Sequence, residues 1–373
     1  MAELEFAFTA DEYARRRQAA LTLAADVGAD RLLAFGANRS GTGVTYLTGW
    51  PVTRAAAYLL TASRSALWVQ FHNHVAAARR TAVSATVADL DDATAGELLP
   101  AGDAVVATVG AVPPGVAGRA REAGVELVPV DAGLVRLVSV KSEAELAAVA
   151  LGARASDIGA AALIDACRPG ATDWDLMAAA RSAYTRAGAR DHICYLAVTD
   201  MAAPDRDVPA QIPEGRVLAR GSAVIFELSA AVAAEYPGQV LRTVTLGEPT
   251  AEYAALHEVA ERARAAVRSV IRDGVGADAL VDASVCIEDA GLTTTDDLFH
   301  GLGMGYLEPI GTSVSRVPVH RPQTLLRAGM TVVVQPNVVR ADHLAGVQTG
   351  ELVVVTHDGL QDVHALPSGL VVV

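Results

Sequence analysis

The chain alternates amphipathic stretches with short apolar runs. Residues 9–26, TADEYARRRQAALTLAAD, begin with a threonine in the capping position. They repeat apolar residues at helical spacing, which predicts a helix. RLLAFGA and VTYLTGW predict strands, and RAAAYLLT and SALWVQF, alternating or continuously apolar, predict more of them. AVVATVG and VELVPV, spaced by Ala-rich helical segments, carry an α/β pattern to about Val138. Residues 142–166 then predict a long helix that starts on the capping-box pattern SEAE and is closed by Pro169-Gly170. A second helix is expected over 173–187. AVIFELSAAV and QVLRTVTLG predict a hairpin turning around 233–238, and 252–272 predict a further helix, with the final strands following from Gly303. The second half is therefore expected to lay helices over an antiparallel sheet, an α+β domain over 139–373 after an α/β domain over 1–138.

Composition narrows the class. A chain of 373 residues, 51% hydrophobic, can bury two cores. Its formal net charge of −13 argues against a nucleic-acid partner. No apolar run reaches the ~18–20 residues of a membrane span, and MAELEFAFTADEYARRR lacks the basic start and apolar core of a signal peptide. Cys167, Cys194 and Cys286 are far apart, with neither zinc spacing nor a disulfide framework; a reducing cytoplasm is the expected location. Lys141 is the only lysine. Placed at the domain junction, it is expected not to serve as a buried Schiff-base amine, which sets pyridoxal phosphate aside along with a Gly-Lys phosphate loop.

Candidate chemistry gathers in TTTDDLFHGLGMGYLEP, where His300 stands beside Gly301, Gly303 and Gly305, followed by Glu308 and Pro309. It combines an imidazole that titrates in the working range with a backbone that permits close approach of a ligand. Upstream are VIFELSAAV and EYPGQVLRTVTLG; downstream are LLRAGMTVVVQPNVV and GVQTGELVVVTHDGLQ. This series resembles the C-terminal domain of the pita-bread family, which includes methionine aminopeptidase, aminopeptidase P, prolidase, creatinase and ectoine hydrolase. The resemblance covers roughly residues 145–373. It rests on Arg242-Thr243, His300-Gly301, Gly329-Met330, Pro336, Val355-Thr356 and Asp358-Gly359. The Tyr46–Trp50 stretch, YLTGW, resembles the N-terminal domain of creatinase and prolidase.

The resemblance implies five metal-ligand positions, and here they fall on Glu227, Gln239, His300, Gln335 and Gln348. One carboxylate, one imidazole and three neutral amides do not balance the roughly four positive charges of a metal pair. No metal and no cofactor are therefore expected. The sequence departs from creatinase too: no histidine stands at 210–213, and Leu307 replaces the family's second histidine. Glu227 and His300 are expected to carry acid–base catalysis, with Glu308 as a further acid. Gln239, Arg242, Gln335, Gln348 and His320 are expected to bind substrate. Resemblance to creatinase-like dimers adds Arg54, and the pair His72 and His74 is placed on one strand face.

These readings lead to a metal-independent hydrolase acting on a C–N bond of a small polar non-peptide substrate, similar to creatinase and ectoine hydrolase. It is expected as a cytoplasmic homodimer in which the partner's N-terminal domain closes the site. The alternatives are a cyclase or lyase in the same pocket, a binding protein with an inactive site, and an Xaa-Pro metallopeptidase.

Overall fold

The computed structural model describes residues 4–83, 86–90, 95–232, 235–316 and 319–373. The chain forms two compact units, one of Ala7–Val138 and one of Ser139–Val373 joined by the segment up to Phe6.

The N-terminal unit is α/β. Its strands are β1 (Arg31–Gly36), β2 (Ala56–Thr61), β3 (Ser65–Val69), β4 (Thr86–Asp89), β5 (Ala104–Val109) and β6 (Val125–Pro129), in spatial order β4-β3-β2-β1-β5-β6. Its helices are α1 (Ala10–Asp26), α2 (Thr42–Thr48), α3 (His72–Thr81), α4 (Ala95–Leu98), α5 (Pro114–Glu122) and α6 (Asp131–Ser139). The Thr9 hydroxyl caps α1 by accepting from the Glu12 amide.

Two expectations fail in this unit. The first five residues of VTYLTGW, Val44–Thr48, lie in the helix α2, not a strand. Gly41 and Gly49, both at positive φ, bracket it, and these flanking glycines override the β preference of Val, Thr and Tyr. His72 and His74 lie in the first turn of α3, where residues two apart do not share a face, so they are not a strand pair.

The second unit starts with two capped helices. Ser142 and Glu145 close a capping box on α7 (Glu143–Ala166), and Thr172 and Asp175 close another on α8 (Asp173–Arg186). Among the described residues α7 is the one helix long and apolar enough to cross a membrane, but Ala148, Val149, Ala153 and Leu163 are buried in the core. The two helices cover β7 (Arg190–Asp200), β8 (Ser222–Ala231) and β9 (Pro237–Thr245), an antiparallel set. The turn expected around 233–238 includes residues 233–234, which lie outside the described residues.

Contact between α7 and β9 is close at Gly238. A Cβ there would sit 2.2 Å from the Ala153 Cα, so only glycine fits. Ser156 seals the contact by donating to the Gly238 carbonyl and accepting from the Ala230 amide at 2.8 Å. Helix α9 (Ala251–Val270) covers the continuation of the sheet. That part comprises β10 (Thr293–Thr294), β11 (Phe299–Gly303), β12 (Gly305–Gly311), β13 (Thr331–Val334), β14 (Asn337–Val339), β15 (Gly346–Gln348) and β16 (Gly350–Val355). The main sheet runs β12-β11-β13-β16-β9-β8-β7, and β10-β14-β15 form a smaller one.

Arg242 belongs to this framework. Phe226 opposes Arg242 while Glu227 opposes Leu241, so Arg242 points to the helix-covered face and Glu227 away from it. The Arg242 guanidinium meets Glu351 at 3.1 Å and donates to the carbonyls of Leu241, Gly350, Leu366 and Pro367. Arg264 and Arg268 reach the same Glu351 at 2.7 and 3.1 Å. Arg242 is therefore not a substrate fork, because its donors are already engaged inside the fold.

Lys141 also departs from expectation. It is buried, its stem lies over Gly303 and its Nζ donates to the Ser139 carbonyl at 3.0 Å. Desolvation lowers its pKa to about 7, with the Glu145 charge opposing. Its position at the junction does not leave it exposed.

Removing one member of a buried ion cluster leaves the others unbalanced. Arg242→Ala is expected to cost roughly 3–5 kcal/mol in chemical denaturation. A loss below about 1 kcal/mol would show that the Glu351 cluster does not hold the sheet.

Candidate functional site

The site grows from the pairing of β8 with β9. Ser229 opposes Gln239, and Glu227 lies two residues before Ser229, so all three side chains share the face turned away from α7 and α8. The other face carries Phe226, Leu228, Val240 and Val244 into the core. The Gln239 Nε2 donates to Glu227 Oε1 at 2.6 Å and to Gln335 Oε1 at 2.9 Å. Gln335, just past β13, donates in turn to the Asp297 carbonyl at 3.2 Å. Asn337 fixes the same loop: its Oδ1 accepts from the amides of Thr295 and Asp296, and its Nδ2 donates to the Asp297 carbonyl at 2.9 Å.

His300 sits on β11, fully enclosed. Its Nδ1 donates to the Gly301 carbonyl at 3.0 Å, so the proton is on Nδ1 and the lone pair on Nε2. Tyr306 lies over the imidazole, with ring centroids 4.0 Å apart and planes at 26°. The Tyr306 hydroxyl donates to Asp297, which also meets Arg316 at 3.3 Å. A Cβ on Gly301 would lie 2.5 Å from the Glu308 carbonyl oxygen, so the bulge next to His300 requires glycine. Gln348, buried on β15, has its backbone tied to the Thr243 hydroxyl, but its Oε1 has no partner.

Enclosure sets the protonation states. Burial pushes the Glu227 carboxyl up to about 8, and the charge of Asp296 adds to the rise. Burial pushes His300 down to about 4, against the pull of its bond to Gly301. Asp296 is open to solvent on one side and surrounded on the others, and this desolvation raises its carboxyl as well. Near neutral pH the floor is thus a protonated Glu227, a neutral His300 and the amides.

These residues do not fit the metal pair that the five positions hold in the resembling family. The amide of Gln239 directs N–H donors, not lone pairs, at Glu227 and Gln335. Among the described residues no group of three His, Cys, Asp or Glu side chains is placed to share an ion.

The structure thus links Glu227, Gln239 and Gln335 by hydrogen bonds, and His300 is close enough to Gln335 to interact with it. Glu308 is exposed, its Oε2 taking the Ile310 amide, and it is not part of this network. His320 is exposed too and pairs with Thr312 through its backbone. Arg54, His72 and His74 belong to the N-terminal unit, where Arg54 bonds Asn38 at 3.3 Å and His74 bonds Thr53 at 2.9 Å. Sequence reasoning passed over Ser229, Asp296, Asp297, Tyr306 and Asn337. For Ser229 the signal was present, since it is two residues along the strand from Glu227.

The profile of Metallopeptidase family M24 matches residues 148–357, more than half of the chain, and the chain belongs to that family. Its fold is the pita-bread architecture with an N-terminal α/β domain. Among individual proteins, it is 28% identical over 244 residues to a probable dipeptidase PepE of Mycobacterium tuberculosis. That match covers 64% of this chain and 62% of the relative, so the chain spans less than two thirds of the length of the curated relative. The X-Pro aminopeptidase of Thermotoga maritima superposes with a TM-score of 0.82 at 18% identity, covering 96% of this chain and 99% of that one. The PepE dipeptidase of Mycobacterium ulcerans gives 0.81 at 24%, covering 99% and 100%. The comparisons overturn the expected metal-independent, creatinase-like hydrolase of a non-peptide bond: the relatives carry the names of peptidases, in a family of metallopeptidases.

The protonation states predict a stability profile. Glu227 binds its proton up to about pH 8 in the fold but only to about 4.5 when free, so its contribution to stability falls as pH rises through that window. His300 works oppositely, between about 4 and 6.5. Above pH 6.5 only the Glu227 slope of the two remains. The stability gap between wild type and Glu227→Gln should shift in favour of the variant by about 1–2 kcal/mol from pH 6.5 to 8.5. A constant gap would show that Glu227 titrates as an ordinary carboxyl.

Proposed function

We propose that this chain is a peptidase of the M24 class that acts on short peptides, dipeptides foremost. The supporting observation is the family match across residues 148–357, whose frame brings Glu227, Gln239 and Gln335 into one hydrogen-bonded set with His300 beside it. In this reading the protonated Glu227 and the amides orient the peptide by hydrogen bonds. His300, with its Nε2 lone pair held by the Gly301 contact, accepts a donor from it. The site residues do not complete a metal pair, and no step is assigned to one. The chain works as a cytoplasmic homodimer, an assembly supported by resemblance to creatinase-like dimers and by the commonness of twofold pairs.

One observation favours a second reading, peptide binding without hydrolysis: the Gln239 amide already bridges Glu227 and Gln335 and holds the floor closed to a dication.

A panel of dipeptides, including Xaa-Pro sequences, separates the two readings when free amino acids are measured with and without added Mn²⁺, Co²⁺ or Zn²⁺. Peptidase action gives release that drops about a hundredfold or more in His300→Ala. Binding by calorimetry with no release under any metal condition supports the second reading. Neither release nor binding overturns both.

A further inference from the structure

We propose that the N-terminal unit holds a binding pocket of its own, beside Phe35 and Arg119, for a small monocarboxylate with an apolar body. All of its lining residues belong to that unit, so the inference does not depend on the peptide reading.

The first ground is topology. From β1 the chain moves outward through β2 and β3 to β4, then returns to β5 and β6 on the other side of β1. β1 and β5 are parallel neighbours, so their carboxyl ends open on one edge of the sheet. The chain leaves those ends through residues 37–41 and 110–113, on different strands of the switch. In open α/β sheets such a switch point is where ligands bind. A cavity of about 390 Å³ lies there, lined from both of these segments. That is within the range of small-molecule sites, about 300–1,000 Å³.

The second ground is the lining. Phe35 opposes Ala57 across β1 and β2, and both belong to one apolar cluster with Leu98 of α4 and Val116 of α5. Ala55 and Ala57 share a strand face, and their methyl groups are too short to fill the space that Phe35, Leu98 and Val116 enclose. Packed interiors leave few voids larger than a water molecule, so an apolar space of this size suits an apolar body.

The third ground is charge. Arg119 is the one charged side chain among the described residues of the lining. It is exposed, which puts it at the solvent edge of the cavity. Its Nε donates only to the Gly115 carbonyl of its own helix, at 3.3 Å, and it pairs with no carboxylate among the described residues. A guanidinium with free donors at the edge of an apolar cavity matches a carboxylate on an apolar body. A cation is disfavoured by Arg119, and a body without charge leaves its donors unused.

Calorimetry on the full chain tests this with phenylpropionate, its neutral amide and acetate. Phenylpropionate is expected to bind, its amide at least about fivefold more weakly, and acetate not detectably, since it has the charge without the body. Arg119→Gln should weaken phenylpropionate about fivefold or more and leave the amide unchanged. Ala57→Leu, which fills the cavity, should weaken both by about tenfold or more, and His300→Ala should change neither. Arg119 is exposed, so its variant decides the matter even where Ala57→Leu does not fold. If the amide binds as tightly as the acid, or Arg119→Gln leaves the acid's affinity intact, the carboxylate assignment is overturned. If nothing binds, or if His300→Ala abolishes binding that both other variants keep, the pocket itself is overturned.

Discussion

The register between β8 and β9 is the constraint on which the rest of the C-terminal unit depends. With Ser229 opposite Gln239, Glu227, Ser229 and Gln239 share one face of the pair, and Phe226, Leu228, Val240 and Val244 enter the helix-covered core on the other. A slip of one residue would exchange the faces. Arg242 would then lose Glu351, and Glu227 would be driven under α7. The register is fixed from both ends. At one end Gly238 admits α7 to contact and Ser156 ties Ala230 to Gly238; at the other Arg242, Arg264 and Arg268 converge on Glu351. The site's geometry is thus a consequence of packing on the face it does not occupy.

Enclosure then does the same thing to opposite kinds of group. It raises the carboxyl of Glu227 and lowers the imidazole of His300, because in each case the charged form is the one that loses water. Both end up neutral near pH 7. A neutral floor is held together by hydrogen bonds, and amides suit it because each offers donors and acceptors at once. A cation arriving beside Glu227 would favour its ionised form and oppose the effect of burial. Burial and a neighbouring positive charge therefore act on Glu227 in opposite directions.

The elements with local signals were the legible ones. Helices α1, α7, α8 and α9 are bounded by Thr9, Ser142, Thr172 and Thr250, each capping through its own hydroxyl. VTYLTGW misled because its composition favours a strand while its conformation is set by the glycines at either end. At the site, Glu227, Gln239 and Gln335 could be found because each polar residue interrupts an apolar strand. Arg242 misled although its parity was readable: it is three residues from Gln239 and must point the other way. Asp296, Asp297, Tyr306 and Asn337 were hidden for another reason. Asn337 acts through contacts some forty residues away, to the Thr295 and Asp296 amides, and Tyr306 through the Asp297 loop and the His300 ring, and no local pattern marks them.

Two of the three glutamines, Gln239 and Gln335, are linked by a hydrogen bond. Gln335 accepts from Gln239 and donates to the Asp297 carbonyl, using both ends of its amide. Changing Gln335→Glu alone would keep the acceptor and delete the donor. The Asp297 carbonyl would lose that bond, and a second carboxyl would share the Gln239 amide with Glu227 in a place that burial already makes hostile to charge. Changing Gln239→Asp alone would be worse, since Glu227 and Gln335 would both lose the donor that joins them. At neither Gln239 nor Gln335 is a change to a carboxylate neutral in this arrangement without a cation to balance it. Gln239 and Gln335 thus support each other, and each bond in the set depends on an amide donor that a carboxylate in its place would not supply.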